Sequence, residues 1–330
     1  MHITVLGAGA WGTALAAALA PRHPVLLWAR SSVALASVAA TRRNERYLPG
    51  IELPAALQCT GELAAAVAHA RHGLLLIATP TAALRELLRQ LRGSAALPPL
   101  VWLCKGLEGV SAAMAHEIVR DELGGHPAGP LSGPSFAQEV AKGLPTALTV
   151  AGDDPLCGLV TEALHGPALR IYSTHDVVGV EVGGAVKNVM AIATGICDAL
   201  ELGHNARAAL ITRGLAEITR FGVALGAQAQ TFMGLTGVGD LILTCTGELS
   251  RNRQVGLMLG RGLPLKEALD RLGHVAEGVW SAAAVRSRAA SLGVRMPITE
   301  AVCAVLEERA SPRQALDGLL ARQPKREGPE

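Results

Sequence analysis

Residues 3–12 read ITVLGAGAWG, an apolar run that leads into three glycines, Gly7, Gly9 and Gly12. This G-x-G-x-x-G pattern follows a predicted strand and precedes a predicted helix over residues 11–20. We expect Gly7 to turn the chain tightly, Gly9 to let the backbone approach a pyrophosphate, and Gly12 to let the helix pack closely on the strand. Because the free N–H groups at the start of the helix also attract anions, the stretch predicts a dinucleotide site.

The first half of the chain alternates strand-like and helix-like segments. Apolar runs suited to buried parallel strands cover residues 23–28, 73–78 and 100–104, and further strand ends are expected near residues 130–135 and 146–150. A helix is predicted to follow the first of these runs up to about residue 40, and another to cover residues 79–91. Repeated units of this kind predict a parallel, doubly wound sheet with right-handed crossovers.

Strand patterns disappear after about residue 176, and long helical patterns take their place. They cover residues 183–200, 206–225, 252–259, 265–272, 280–291 and 299–308. We therefore predict an α/β protein with an N-terminal Rossmann-like, doubly wound, mostly parallel sheet and a C-terminal all-α domain. The expected divisions are a nucleotide-binding domain at residues 1–175, a helical substrate and dimerisation domain at 176–322, and a flexible tail at 323–330.

The composition argues against several classes of partner. The 330 residues carry a net charge of +2 and only 3% aromatic side chains, so neither a strong basic field nor a base-stacking surface for nucleic acid is expected. The six cysteines are at least 40 positions apart, which excludes the usual spacings of a metal site. Charges such as Lys187 and Asp198 interrupt the apolar stretches, so no membrane span is expected. Without an export signal, the thiols predict a cytoplasmic protein.

Lysine is used sparingly in this chain, and two lysines lie in apolar surroundings. Only five of the 30 basic residues are lysines; Lys105 ends a strand-like run and Lys187 follows Gly183 and Gly184 in a helix of small residues. A desolvated lysine can act as a general acid or base, whereas arginine stays charged. For Lys105, extension of the ammonium to solvent is an equal alternative. For Lys187 a functional role is favoured, because the two glycines would let a ligand or another backbone come close.

Other polar residues have both a functional and a purely local interpretation. Gly133-Pro134-Ser135 follows a strand and offers N–H and hydroxyl donors, or it is a plain turn. Asp240 could orient the ammonium of Lys187, together with Asn188, or accept a substrate hydroxyl; by itself it favours the cap of a helix. Ser250-Arg251-Asn252-Arg253 before a helix could hold a phosphate, or only cap the helix at the surface.

Arg30 bears on the choice between the two nicotinamide cofactors. It stands eighteen positions after Gly12, where an NAD-specific site often has an acidic residue. A cation at this position can accommodate the 2′-phosphate of NADP, so NADP(H) is expected to be accepted alongside NAD(H). The alternative is that Arg30 stacks on adenine and tolerates either cofactor.

Several motifs, in order along nearly the whole chain, resemble the bacterial-type NAD(P)-dependent glycerol-3-phosphate dehydrogenases. They are Gly7–Gly12, Cys104–Glu108, Ser132–Ala137, Gly183–Ala191, Asn205–Gly214, Gly237–Leu241, Ser250–Arg253 and Met296–Glu300. The resemblance implies reversible hydride transfer between NAD(P)H and dihydroxyacetone phosphate, which gives sn-glycerol 3-phosphate for phospholipid synthesis. It also implies a homodimer formed through the helical half.

The resemblance assigns roles to individual positions. Lys187 would be the general acid and base. The substrate would be held by Lys105, Gly133, Ser135, Lys187, Asp240, Ser250, Arg251 and Asn252. Besides the three glycines of the first motif, the cofactor would be lined by Ala10, Trp11, Arg30, Lys105, Ala137, Arg251, Val275 and Glu277. Ala10 stands where the family often has serine, which removes a hydroxyl but keeps the N–H group, and Ser135 stands where threonine is also used.

Two other functions are weighed against this one. A related dehydrogenase could grip the carboxylate of a 3-hydroxy acid or keto acid where we expect a phosphate. A dinucleotide sensor without turnover is the second alternative. The sensor would not need a lysine in an apolar helix, and the presence of Lys187, Asp240 and residues 250–253 in one chain argues against it.

Overall fold

The computed structural model describes residues 1–30, 32–94, 96–273 and 275–322, so the tail predicted at 323–330 lies outside the described residues. Eight strands form one sheet: β1 Ile3–Leu6, β2 Val25–Trp28, β3 Gln58–Thr60, β4 Leu74–Ile77, β5 Leu100–Trp102, β6 Ala128–Ser132, β7 Thr146–Ala151 and β8 Leu169–Thr174. Their order across the sheet is β3-β2-β1-β4-β5-β6-β7-β8. All neighbours are parallel except β6 and β7, which confirms the doubly wound, mostly parallel sheet.

The helices of the first half cover both faces of this sheet. They are α1 Ala10–Leu19, α2 Ser32–Thr41, α3 Leu63–His69, α4 Leu84–Leu91, α5 Ala115–Leu123, α6 Ala137–Ala141 and α7 Asp154–Leu164. The sheet is buried between them: Ile3 and Val5 of β1 contribute to the core on one face, and Leu6 to the core on the other. A strand buried on both sides needs apolar residues at successive positions, which explains the continuous apolar runs in the sequence.

The second half is helical, as predicted. Its helices are α8 Val177–Ala199, α9 Gly203–Ala224, α10 Asp240–Thr246, α11 Arg251–Gly260, α12 Leu265–Leu272, α13 Glu277–Ser291, α14 Pro297–Leu306 and α15 Pro312–Leu320. Helix α8 is the central element, buried from Gly179 to Cys197 and in contact with α9, α10, α11, α13 and α14. It is also the one helix in the described ranges that is long and apolar enough to cross a membrane, but 83% of that window is buried inside the protein. Helix α8 is therefore the core helix of this half.

Several predicted boundaries are wrong, each for a local reason. Helix α8 begins at Val177, six residues before the predicted start, because Asp176 caps it by accepting a hydrogen bond from the backbone N–H of Gly179 at 2.9 Å. The helix predicted to begin at residue 79 begins at Leu84, after a short 3₁₀ turn over Thr81–Ala83. Pro80 adopts an extended conformation before that turn, which delays the α-helix.

The chain winds from β1 outward to β3 and then returns to β4 on the other side of β1. The carboxyl ends of β1 and β4 therefore mark the point at which the sheet reverses direction, where α/β proteins bind ligands. The segments that follow β5 and β6 lie next along the same edge. Since neighbouring strands are about 4.8 Å apart, the end of β5 lies about 10 Å from the end of β1.

Candidate active site

The glycine turn after β1 fits the phosphate group of a dinucleotide. Gly7 has φ of +122°, and a Cβ atom there would lie 2.8 Å from the carbonyl carbon and oxygen of Ala78, so only glycine fits. A side chain at Gly12 would strike the Gly7 carbonyl. A Cβ at Gly9, by contrast, would meet no atom within 4 Å, and no side chain caps the start of α1 at this point. The free N–H groups of the first turn thus face open space that can take an anion.

Lys105 extends from the segment after β5 to the edge of the helical half. Its Nζ donates to the Gly133 carbonyl oxygen at 3.3 Å and to Oδ2 of Asp240 at 2.8 Å. The side chain is 16% exposed. The alternative in which this ammonium extends to solvent is therefore wrong, because the ammonium forms an ion pair with a buried carboxylate.

Lys187 approaches the same carboxylate from α8. Its Nζ donates to Oδ1 of Asp240, so the two carboxylate oxygens each bind one ammonium group. The side chains of Lys187 and Asp240 are 9% and 1% exposed. Three residues, from the segment after β5 and from α8 and α10, thus form one buried cluster with two positive charges and one negative charge, which we call the lysine cluster (Lys105, Lys187 and Asp240).

Burial and charge tune the proton affinities within the lysine cluster. Burial lowers the pKa of Lys187, the charge of Asp240 raises it and the charge of Lys105 lowers it, and together these effects bring it to about 8. Burial alone would raise the pKa of Asp240, but the two ammonium groups outweigh it and hold that pKa below its ordinary value. Lys187 can therefore gain or lose a proton near neutral pH while Asp240 stays ionised.

The glycines before Lys187 explain how α8 comes this close. A Cβ at Gly184 would lie 2.9 Å from Oγ of Ser132 and 3.4 Å from Cγ of Lys105, so the helix packs directly on the ends of β5 and β6. Gly183 faces the backbone of Thr236 in the π-helical turn Leu235–Gly239. The close approach predicted for this pair of glycines is thus made by the protein itself.

The structure corrects two predictions about Asp240 and Asn188. The helix-cap role favoured for Asp240 is wrong: Gly239 is the cap residue of α10, and the Asp240 carboxylate binds the two lysines. Asn188, expected to help hold Lys187, instead donates to the Gly184 carbonyl oxygen at 3.4 Å and accepts from Asn252 at 3.0 Å. Asp240 alone of this pair holds the ammonium of Lys187.

Gly133 and Ser135 lie beside Lys105. The hydroxyl of Ser135 donates to the Gly133 carbonyl oxygen at 3.0 Å, which is the oxygen that also accepts from Lys105. This segment is therefore more than a plain turn, because its carbonyl holds an ammonium of the lysine cluster. The Ser135 oxygen keeps its lone pairs for a ligand hydroxyl.

The start of α11 combines a capping serine with an exposed cation. Oγ of Ser250 accepts from the backbone N–H of Arg253 at 3.3 Å, and Ser250 is buried. Asn252 accepts from the Gly278 N–H at 2.9 Å and donates to Asn188, so its amide joins α11 to α13 and α8. Arg253 pairs with Asp198 at 2.7 Å, whereas Arg251 is exposed. Arg251 is therefore the cation of this motif that is available to an anion.

The remaining predicted cofactor residues are spread along the same edge. Glu277 begins α13; burial raises its pKa, against the opposing effect of Arg251, Lys105 and nearby backbone N–H groups. Ala137 begins α6 and packs with Trp11 against the same core cluster. Two further residues, Arg30 after β2 and Val275 before α13, are exposed, and none of the described contacts joins them to the lysine cluster.

Sequence reasoning missed two hydroxyl groups at this edge. Oγ1 of Thr79, just after β4, and Oγ of Ser132, at the end of β6, are buried and have no hydrogen-bond partner among the described residues. A buried hydroxyl without a partner is costly, so each is available to a ligand. Their positions directly after predicted strands were the signal in the sequence. In the described part of the chain no group of three or more metal-binding side chains occurs, and all six cysteines are free.

Proteins of known identity resemble this chain along its whole length. Residues 2–157 and 176–317 match the N-terminal and C-terminal parts of the family described as NAD-dependent glycerol-3-phosphate dehydrogenase. The chain is 61% identical to the glycerol-3-phosphate dehydrogenase (NAD(P)+) of Paucimonas lemoignei, with 99% of this chain and 98% of that protein aligned. A relative of the same name from Methylibium petroleiphilum is 60% identical, with 99% of each chain aligned.

Solved structures of glycerol-3-phosphate dehydrogenases also resemble this chain. The crystal structure of glycerol-3-phosphate dehydrogenase from Coxiella burnetii has a TM-score of 0.93 at 42% identity and covers 97% of this chain and 98% of that one. The yeast glycerol-3-phosphate dehydrogenase has a TM-score of 0.79 at 27% identity, over 96% and 98% of the two chains. The resemblance stated from the motifs is confirmed, with NAD(P) as the cofactor. This chain belongs to the NAD-dependent glycerol-3-phosphate dehydrogenase family.

Proposed function

We propose that the chain catalyses the reversible NAD(P)H-dependent reduction of dihydroxyacetone phosphate to sn-glycerol 3-phosphate, with Lys187 as general acid and base. The observation that carries the proposal is the buried lysine cluster at the carboxyl ends of β5 and β6. When bound, the nicotinamide cofactor supplies or accepts the hydride. The residues of this chain bind the two molecules, orient them and move the proton.

Lys187 donates a proton to the ketone oxygen. A ketone that is reduced develops negative charge on its oxygen, which needs a proton or a cation at that moment. With a pKa of about 8, Lys187 is protonated at neutral pH and can give up its proton, and in the reverse direction the neutral amine accepts one. Asp240 orients Lys187, and Lys105 adds a second positive charge that stabilises the oxyanion.

The substrate phosphate binds at the start of α11. Arg251 supplies the exposed charge, Ser250 and Asn252 hold the backbone of this turn, and the helix adds its free N–H groups. Binding energy gained at the phosphate orients the carbonyl carbon at the other end of the molecule. Gly133 and Ser135 contact the hydroxyl end of the substrate, next to Lys105.

The cofactor binds along the edge that begins at the glycine turn. Gly7, Gly9, Ala10, Trp11 and Gly12 take the pyrophosphate through backbone N–H groups. Arg30 receives the 2′-phosphate of NADP, and Lys105, Ala137, Arg251, Val275 and Glu277 line the rest of the cofactor site. With alanine at position 10, the turn offers an N–H group there and no hydroxyl.

The organisation of the protein follows from the same proposal. Residues 1–175 form the nucleotide-binding domain and residues 176–322 the helical substrate domain; the last strand ends at Thr174 and α8 begins at Val177, which supports this boundary. We infer a cytoplasmic homodimer that binds neither nucleic acid nor a membrane and supplies sn-glycerol 3-phosphate to glycerophospholipid synthesis.

The test is the loss of NADPH absorbance with dihydroxyacetone phosphate, hydroxypyruvate or a 3-oxo acid as substrate. Loss with dihydroxyacetone phosphate alone supports the proposal. Loss with a keto acid and not with the phosphate would indicate the alternative dehydrogenase, and measurable NADPH binding with no turnover of any ketone would indicate a sensor. Lys187→Met should abolish turnover, whereas Lys266→Met, at an exposed lysine far from the lysine cluster in sequence, should not.

A further inference from the structure

A second cavity, of about 510 Å³, lies in the helical half between α8, α9, α14 and α15. Its volume is typical of sites for small molecules, which span about 300–1,000 Å³. Apolar side chains from all four helices form its wall, among them Ile196, Leu210, Val302 and Leu319. None of the residues proposed above for substrate or cofactor lines it. The cavity is therefore a separate site, and the dehydrogenase reaction does not explain it.

The helix that forms one wall of the cavity is long enough to accompany an extended chain. Helix α9 lines it from Ala206 to Arg220, with lining residues at three- and four-residue spacings along one face. Fourteen helical steps span about 21 Å. An extended hydrocarbon advances about 1.3 Å for each carbon–carbon bond of ~1.5 Å, so roughly sixteen carbons match this length. The apolar wall along α9, which we call the trough, is therefore as long as an acyl chain of about sixteen carbons.

The charged groups that line the cavity are almost all positive. Arg213, Arg220, Arg295 and Arg322 line it, and none of them forms an ion pair with another described residue. Arg220 donates to the Arg295 carbonyl oxygen at 3.4 Å, which brings these two residues together. Guanidinium groups bind carboxylates and phosphates with paired hydrogen bonds. The cavity therefore offers an apolar trough with a cationic rim.

Glu217 is the one acidic residue that lines the cavity within the described ranges, and it is already engaged. Its carboxylate accepts from the backbone N–H of Ile298 at 2.6 Å and from the N–H and hydroxyl of Thr299 at 3.3 Å each, so it caps the start of α14. Burial also raises the pKa of Glu217 to about 7. This carboxyl group thus leaves the arginines without a full counter-charge.

We propose that this cavity binds a single-chain anionic amphiphile, with the acyl chain in the trough and a carboxylate or phosphate head on the arginines. The apolar wall alone would also suit another protein surface. In a symmetric contact with a second copy, however, the same face would lie on both sides, and Glu217, the one acidic residue that lines it within the described ranges, is already engaged. A chain-bearing anion satisfies the apolar wall and the charges together.

The cavity adjoins the helix that carries the general acid. Ala193, Ile196 and Cys197 line the cavity, and Ala193 lies six residues after Lys187 on α8, about 9 Å along the helix.

Calorimetric titration of the full chain tests the site directly. Dodecanoate and dodecyl phosphate, both below their micelle concentrations, distinguish a carboxylate from a phosphate head, and uncharged dodecyl maltoside controls for the chain alone. We expect saturable binding of one anion per chain. Ala301→Phe fills the trough and should weaken both anions at least about tenfold, and the double variant Arg220→Gln, Arg295→Gln should weaken them about tenfold to a hundredfold. Arg261→Gln, an exposed arginine outside the cavity, should bind as the parent does.

Three results would overturn the inference. The first is no saturable binding of either anion, and the second is equal affinity for dodecyl maltoside and the anions. The third is a combination of two findings: sedimentation shows that Ala301→Phe dissociates a dimer of the parent protein, and the arginine variant binds amphiphiles as the parent does. This face would then be a subunit interface. Should Ala301→Phe fail to fold, the arginine variant still decides. Lys187→Met separates the two proposals, because it should lose reduction and keep amphiphile binding.

Discussion

Replacing Asp240 by asparagine removes the negative charge between two ammonium groups and keeps the shape of the side chain. In the parent protein Asp240 raises the pKa of Lys187, whereas burial and the charge of Lys105 lower it. The net pKa is about 8. An opposite charge at such a distance is worth about 1–3 pKa units. In Asp240→Asn the pKa of Lys187 is therefore expected to fall to about 5–7.

The rate follows from the protonated fraction of Lys187. At pH 7 a pKa of about 8 leaves roughly nine tenths of the lysines protonated, whereas a pKa of 5–7 leaves roughly half to one hundredth. Ketone reduction needs the protonated form of Lys187. At pH 7 the smaller protonated fraction should therefore by itself lower the rate of reduction about twofold to ninetyfold. The oxidation of sn-glycerol 3-phosphate needs the neutral amine, so this direction should not suffer from the change of pKa.

The assay is the pH dependence of kcat/KM for dihydroxyacetone phosphate, followed by NADPH absorbance. In the parent protein, activity in reduction should fall as the pH rises through about 8, and in Asp240→Asn this fall should move at least one unit toward acid. Asp270→Asn, at an exposed residue paired with Lys266 at 3.0 Å, is the matched control and should leave the profile unchanged. If Asp240→Asn instead scales the rate equally at every pH, Asp240 only binds substrate and the electrostatic argument is refuted.

Further predictions concern single residues. Lys187→Arg keeps the charge but cannot release a proton, so turnover should fall about 10²- to 10⁴-fold with NADPH affinity nearly intact; near-normal turnover would remove Lys187 from the mechanism. Arg30→Asp should move the ratio of kcat/KM values from NADPH toward NADH, and an unchanged ratio would mean that other residues hold the 2′-phosphate. Because Arg251 also lines the proposed cofactor site, the test uses saturating NADPH: Arg251→Gln should then raise KM for dihydroxyacetone phosphate about tenfold or more and leave reduction of a phosphate-free ketone unchanged, and an equal loss with both substrates would contradict its role as phosphate ligand. Glu217 has a folded-state pKa of about 7, above its ordinary value of 4.5, so its contribution to stability is fully present below pH 4.5 and is lost as the pH rises through 7. Denaturant titrations at a series of pH values should show that the free energy of unfolding falls by up to about 3 kcal/mol in the parent and not in Glu217→Gln. The same pH dependence in both proteins would disprove this role of Glu217.

The sheet was predictable where its strands are buried on both sides. Strands β1, β2, β4 and β5 are buried throughout and apolar at every position except Thr4, and such runs indicate a parallel sheet. Strand β3 was missed, because its three residues, Gln58–Thr60, form the sheet edge and are partly exposed. Strand β8, at the opposite edge, alternates buried and exposed residues at its start and was missed as well.

The residues of the candidate site could be predicted from the sequence, but the contacts between them could not. Each lysine stood out by its apolar surroundings, yet the partner they share lies 53 positions from Lys187 and 135 from Lys105. Asp240 by itself favours a helix cap, so local propensity pointed to the wrong role. Only the packing of α8 on the end of β6 and against α10 shows that one carboxylate binds two ammonium groups.

The lysine cluster carries two positive charges and one negative charge in a buried position, and this imbalance stabilises the transition state that both directions of the reaction share. A buried charge without a partner is costly, and in the free protein the strain appears as the lowered pKa of Lys187. A neutral ketone does not relieve it, but the negative charge that grows on the ketone oxygen does. The cluster therefore interacts more strongly with the developing alkoxide than with the substrate, which is the condition for lowering the barrier. Two lysines around one aspartate, rather than a neutral pair, are what give the site this preference.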